Sequence, residues 1–211
     1  MTKEMSKPTK RVKIEHNGSI HETPVMLDET SLMEGMRKVA LQVAEWSGES
    51  ATKPLQIISA LNGAKPFTTD ITKELARLGV KTDVHEIKIS NTMGTRGAVA
   101  PVIEYGQIPK NVLKGSKTLI VDDIIDTGGT MSFIKEIIAG CPAEVRVASV
   151  VNKYAAFSDM SDFTIYDCRL EKEKMLSCDG KNVDYWFFGY GMDLDGKYRD
   201  LREISWLEVE R

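Results

Sequence analysis

The sequence predicts an α/β fold with a central, mostly parallel sheet flanked by helices, and three observations predict it. Short β-rich runs alternate with helix-period runs through the middle of the chain, the rhythm of strand, crossover helix and returning strand. Gly79 and Gly140 directly follow helical runs and end them. A continuous apolar run, TLIVDD from Thr118, closes on two adjacent acids and is followed at once by a glycine-rich turn.

The elements follow in order. Residues 1–13 are polar and lysine-rich with no apolar stretch behind them, so they read as a disordered arm and not as a secretory leader. Asn17-Gly18, between VKIEH and SIHETPV, predicts a hairpin over residues 12–25, since both central residues of a type I′ turn take positive φ. That hairpin is expected to be a two-stranded flap. From Asp28, the apolar positions Leu32, Met33, Met36, Val39, Ala40, Val43 and Ala44 recur at helical spacing, with Gly48 beyond the end. PLQIISA is the next strand, residues 69–78 a helix, and TDVHEIKIS a further strand. After a glycine-containing stretch come the strand TLIVDD, a helix over residues 130–139 and the strand EVRVASVV. The rhythm then changes, and SDFTIYDC and the aromatic run within VDYWFFGYGMDLDGKYRDL predict two more strands and a substrate-contacting region.

Composition narrows the function. With 211 residues, 42% hydrophobic and 28% charged, the chain can bury a full core. A net charge of −3 argues against a nucleic-acid partner, which calls for a basic surface. The longest apolar run, near residues 117–125, is broken by Asp122 and Asp123 and falls short of the roughly 20 residues of a membrane span. Cys141, Cys168 and Cys178 are odd in number and widely spaced, fitting reduced thiols and no disulfide framework or thiolate zinc site. A cytoplasmic protein with no membrane or nucleic-acid partner is expected.

The chemistry concentrates in residues 118–131, TLIVDDIIDTGGTM. Ligands of parallel sheets bind beyond the carboxyl ends of the strands. There Gly128 and Gly129 permit close backbone approach, the first helical N–H groups point outward, and the Thr127 and Thr130 hydroxyls add donors, which together suit a phosphate. Neighbouring carboxylates repel each other unless a cation or sugar hydroxyls lie between them, so Asp122 and Asp123 ask for Mg²⁺ and a polyol. No lysine follows the glycines as in a Walker loop, and no G-x-G-x-x-G turn is present.

VDDIIDTGGT, residues 121–130, resembles the phosphoribosyl pyrophosphate signature of type I phosphoribosyltransferases, and is similar in particular to that of the hypoxanthine-guanine phosphoribosyltransferases. The resemblance extends over about residues 55–201. It implies a type I phosphoribosyltransferase fold: a single domain over residues 1–211, with a core of about 28–155 and a small hood from about 12–25 and 160–211. It implies a glycosyltransferase of purine salvage that moves the 5-phosphoribosyl group of phosphoribosyl pyrophosphate to hypoxanthine or guanine, with Mg²⁺, releasing a nucleoside monophosphate and pyrophosphate. By that resemblance Asp122 and Asp123 hold the ribose hydroxyls, directly or through Mg²⁺. Asp126, Thr127, Gly128, Gly129 and Thr130 wrap the 5-phosphate, and Asp126 also handles the proton at purine N7. Lys153 of VVNKYAAF donates to the 6-oxo group, Trp186 stacks on the base, Phe187 offers backbone groups to the purine edge, Asp193 adds a metal contact and Arg199 a pyrophosphate contact. A homodimer or homotetramer is likewise implied.

Two segments depart from the family pattern. The pyrophosphate turn carries Asn62 before Gly63 where a lysine is usual, and analogy predicts a cis peptide between Leu61 and Asn62. The loop of residues 90–97, SNTMGTRG, lacks the family's serine-tyrosine pair, with Arg96 as the expected substitute on closure. Two alternatives stay open: a xanthine- or guanine-preferring transferase, since the exocyclic 2-position is read largely by backbone groups, and, from the altered loop, a phosphoribosyl-binding regulator with weak turnover.

Overall fold

The protein is described from a computed structural model over residues 10–48, 53–93, 99–154, 159–170 and 183–210. The parallel sheet is built from β3 (Leu55–Leu61), β4 (Thr82–Met93), β5 (Val99–Tyr105), β6 (Lys117–Ile125), β7 (Glu144–Tyr154) and β8 (Phe163–Leu170), in the order β5-β4-β3-β6-β7-β8. Every neighbouring pair is parallel except β4 with β5. Residues of β3 and β6 alternate between two apolar layers, as the two-residue strand period requires. Ile57, Leu119 and Val121 face one layer, with α1 (Glu29–Ser47) and α2 (Lys65–Arg77). Ile58 and Ile120 face the other, with α4 (Gly129–Ile137) and the single turn α3 (Lys110–Leu113). Burial on both sides is why these strands read as unbroken apolar runs.

Helix α1 lies where its periodicity predicts. Asp28 caps it, accepting from the Ser31 N–H at 2.8 Å, and the chain leaves it at Gly48. Leu32, Met36, Val39, Ala40 and Val43 are buried, so the methionine on that face fills core space. Helix α2 starts at Lys65, four residues before the expected 69, because Pro66 fits the first turn, where its missing N–H takes no intrahelical bond.

The hairpin forms as predicted, β1 (Arg11–His16) and β2 (Ser19–Leu27), with φ of 50° and 72° at Asn17 and Gly18. It is not a free two-stranded flap. It joins β10 (Ile204–Glu210) and β9 (Val183–Phe188) in an antiparallel sheet of order β1-β2-β10-β9. β5 and β10 were not expected from the sequence. β8, expected in the hood segment 160–211, instead pairs with β7 in the core sheet. The charged run 171–174, Cys178 and the loop residues 94–98, Arg96 included, lie outside the described residues. No helix among the described residues is long and apolar enough to cross a membrane.

Candidate functional site

A cavity of about 320 Å³ opens at the carboxyl ends of β3 and β6, the end of a parallel sheet where ligands bind. Two turns, a strand end and one arginine line it: Asn62 and Gly63 after β3, the last residues of β6 with Asp122 and Asp123, residues 126–130, and Arg199. A larger hollow, about 1240 Å³, lies at the opposite end beside Leu55, Lys81 and Lys117, and no expected site residue lines it.

The turn into α4 leaves its backbone donors open. Gly128 has φ 73°, and no side chain caps the first turn, in contrast to α1. A helix start leaves its first N–H groups without intrahelical partners. Here they face the cavity beside Thr127 and Thr130, a ready site for a phosphate.

The acids sit slightly deeper than the sequence suggested. β6 continues to Ile125 because pairing with β7 persists through Ile124↔Val151 and Ile125↔Asn152. Asp122 is buried, and its Oδ1 accepts from the Asp123 N–H at 3.0 Å. Burial pushes the Asp122 carboxyl well above the usual carboxylate range, with the Asp123 charge adding to it. Burial also raises Asp123, opposed by hydrogen bonds and by Arg199.

Steric fit fixes the pyrophosphate turn. The Leu61-Asn62 peptide is cis, as analogy predicts. A Cβ on Gly63 would stand 1.7 Å from Asp123 Oδ2, and one on Gly191 would stand 2.0 Å from the Gly63 carbonyl oxygen. The turn is thus held between the carboxylate of β6 and the loop after β9: a Cβ at position 63 would displace the Asp123 carboxylate, and one at 191 would meet backbone. That loop is anchored to α2 by the Tyr190 hydroxyl, which donates to Asp70 Oδ2 at 2.9 Å. Burial and that carboxylate together push the phenol up.

The remaining expected residues flank the cavity and do not line it. Arg199 links them to it: Nη1 donates to the Gly191 carbonyl at 2.6 Å and Nη2 lies 2.5 Å from Asp193 Oδ1. Asp193 Oδ2 also accepts from the Gly196 N–H at 2.8 Å. Trp186 stands 48% exposed on β9, its Nε1–H donating to the Asp193 carbonyl at 2.6 Å, so the indole is fixed while half of it stays open. Phe187 turns its side chain into the core. Lys153 is buried between Asp184 at 2.8 Å and Asp126 at 3.6 Å. Asp126 Oδ1 is buried without a hydrogen bond, the Lys153 ammonium being its ionic neighbour.

Sequence reasoning missed Gly191, Asp184, and the Asp70–Tyr190 tie. Gly191 was visible within GYGMDLDG. Asp184 and Asp70 carry no local signal, since their partners lie 31 and 120 positions away.

Two turns without side-chain caps, set around paired acids at the carboxyl edge of a parallel sheet beside a second, antiparallel sheet, define an α/β protein with its open site at the strand ends. The phosphoribosyl transferase domain family matches residues 28–186, and the chain belongs to that family. It is similar to hypoxanthine-guanine phosphoribosyltransferase of Lactococcus lactis, 25% identical over 88% of this chain and 91% of that protein. It is also similar to hypoxanthine phosphoribosyltransferase of Haemophilus influenzae, 23% identical over 90% and 98%. Among solved structures, the Trypanosoma cruzi hypoxanthine phosphoribosyl transferase studied for the role of its C-terminal region on oligomeric state and activity superposes with a TM-score of 0.67. It is 23% identical over 89% of this chain and 90% of that one, and shares the fold.

Proposed function

We propose that the chain transfers the 5-phosphoribosyl group of phosphoribosyl pyrophosphate to a 6-oxopurine, hypoxanthine or guanine, giving a nucleoside monophosphate and pyrophosphate. One observation carries this reading: the uncapped start of α4 and the Asn62-Gly63 turn face each other across Asp122 and Asp123 in one cavity. Two such turns around two acids suit a sugar with a phosphate at C5 and a diphosphate at C1. The names of the relatives supply the purine.

In this reading the Thr127, Gly128, Gly129 and Thr130 backbone holds the 5-phosphate, and Asp122 and Asp123 orient the ribose hydroxyls. Arg199 and the Asn62-Gly63 turn receive the diphosphate. A purine nitrogen bonds to C1 of the ribose as the C1–O bond to the diphosphate breaks, and the leaving oxygen takes the electron pair. The proton lost from the purine passes to Asp126, whose buried Oδ1 has no other hydrogen-bond donor. Positioning of the two reactants supplies much of the acceleration. Lys153 faces the 6-position, where an oxo group accepts its proton and an amino group opposes it, so adenine is disfavoured. Trp186 offers its open face to the base.

The donor set fits Mg²⁺. Two adjacent carboxylates with raised pKa, Asp122 buried and Asp123 partly so, would be relieved by a hard cation. Asp122 and Asp123 would hold it, with Asp193 as a further contact once released from Arg199. Among the described residues no three acidic, histidine or cysteine side chains form a ready-made cage. Bound there, Mg²⁺ would neutralise the departing diphosphate. The free thiols of Cys141 and Cys168 support a reducing, cytoplasmic setting. A homodimer or homotetramer belongs to the same reading.

A spectrophotometric assay with phosphoribosyl pyrophosphate and Mg²⁺ on hypoxanthine, guanine, xanthine and adenine tests the reading. Turnover of hypoxanthine or guanine and none of adenine is expected. Preference for xanthine would shift the assignment to the first alternative. Tight binding of phosphoribosyl pyrophosphate with no turnover of any base would replace the enzyme with a regulator.

A further inference from the structure

The loop that carries Asp193 and Arg199 is tied to the N-terminal hairpin by contacts that no described function requires. The Tyr198 hydroxyl donates to the Glu15 carbonyl at 3.0 Å and accepts from the Glu15 N–H at 2.8 Å. Glu15 lies on β1, the edge strand of the antiparallel sheet. One phenol oxygen therefore takes both backbone groups that this residue presents at the sheet edge. A second tie lies alongside: His16 Nδ1 is 2.7 Å from Asp195 Oδ2, and the other ring nitrogen of His16 is 3.1 Å from Asn17 Nδ2.

The backbone of this loop needs such support. Asp195 and Tyr198 have φ of 53° and 68°, a region that a bulky L-residue avoids unless its surroundings hold it there. Tyr198 meets this by packing its ring against Phe188, with centroids 5.8 Å apart, over a small core of Ile14 and Leu194. The residue held in this way directly precedes Arg199. The Arg199 carbonyl accepts from Gly191 N–H at 2.9 Å, and Gly191 in turn presses on Gly63.

We infer that Tyr198 is a positioning residue: through Glu15 of the hairpin it holds Arg199 and the 193–199 loop in register for the diphosphate end of the substrate. The inference rests on the proposed function for its substrate, while its structural half stands apart from that function. The backbone of β9, which carries Trp186, is paired over six residues with β10, and the indole meets the loop at the Asp193 carbonyl, at the far end of the loop from Tyr198. Loss of the clasp therefore weakens diphosphate binding more than purine binding.

The experiment compares wild type with Tyr198→Phe, which removes the hydroxyl and keeps the ring, and with His16→Ala, which cuts the second tie. For Tyr198→Phe the KM for phosphoribosyl pyrophosphate is expected to rise about three- to tenfold, the scale of one or two hydrogen bonds. kcat and the KM for hypoxanthine should stay within about twofold, the pattern of lost uniform binding. Amide hydrogen exchange over residues 193–201 should quicken while that of β6 does not change. His16→Ala should move both readouts in the same direction by less. Equal changes in the two KM values, or a fall in Tm with both unchanged, would reduce Tyr198 to a general structural contact and overturn the inference. Should wild type turn over no purine, the functional reading fails, and exchange over 193–201 decides the clasp alone. Unchanged exchange there would overturn it.

Discussion

Asp122 is held in a state that the ligand-free fold disfavours. Its carboxyl is buried and raised well above the usual range, chiefly by burial and then by Asp123. A folded-state pKa above the unfolded one means that the folded chain binds the proton more tightly. The contribution to stability is therefore greatest below about pH 4, the unfolded value, and declines as pH climbs from there through the raised folded value. Asp122→Asn keeps an oxygen for the Asp123 N–H and removes the charge. With EDTA and no substrate, this variant is expected to melt about 2–4 °C above wild type at pH 7.5, the shift for roughly 1 kcal/mol in a chain of this size. The difference should close near pH 4, and binding of phosphoribosyl pyrophosphate should be lost. Differential scanning calorimetry across that range checks it; a variant that melts below wild type at pH 7.5 would show that the carboxylate stabilises the empty fold. The paired acids were legible in the sequence because they interrupt an apolar run that has no other use for charge. Burial of Lys153 between Asp126 and Asp184 was not legible, since it depends on β9 returning over the end of β7.

Among elements, the turn from β3 into α2 is the most constrained. Gly63 faces the Asp123 carboxylate on one side, and its carbonyl faces Gly191 on the other, so a Cβ at position 63 must displace that carboxylate and one at position 191 a backbone carbonyl. Gly63→Ala is expected to cost about 1–3 kcal/mol by overpacking, and to weaken phosphoribosyl pyrophosphate binding more than purine binding. Urea unfolding together with calorimetric titration of the substrate measures both. A variant with wild-type stability and affinity would show that the turn is free to shift. Strands and helices with an apolar period, α1 and β3 among them, could be read from the chain because burial writes that period directly. β5 and β10 escaped notice for different reasons. β5 follows a glycine-bearing stretch of sequence that dominates the local pattern, and β10, ISWLEVE, gains its identity only by pairing with β9 and β2. The early start of α2 followed from Pro66, which marks a first turn as readily as it marks a break.

At the scale of the whole molecule, two layers meet at one edge. The parallel core presents the turns after β3 and β6, and the chain between β9 and β10 brings Arg199 to them, beside Trp186 and Asp193. The motif in residues 121–130 announced the lower half of this arrangement. The upper half was carried by family resemblance and not by spacing, because bringing residues 186–199 over residues 62 and 126 requires the long return of the chain that only the fold supplies. The placement of β8 in the core sheet shows the same limit: its sequence is as compatible with a hood strand as with a sixth core strand.

The central claim is that the turn before α4 holds a phosphate opposite a sugar bound by paired acids. A crystal structure of the protein with inosine monophosphate and Mg²⁺ addresses it most directly. The 5′-phosphate should accept from the backbone N–H groups of residues 127–130, with the ribose hydroxyls toward Asp122 and Asp123 and the base against Trp186. A nucleotide bound elsewhere, with that turn closed by protein side chains, would contradict the account.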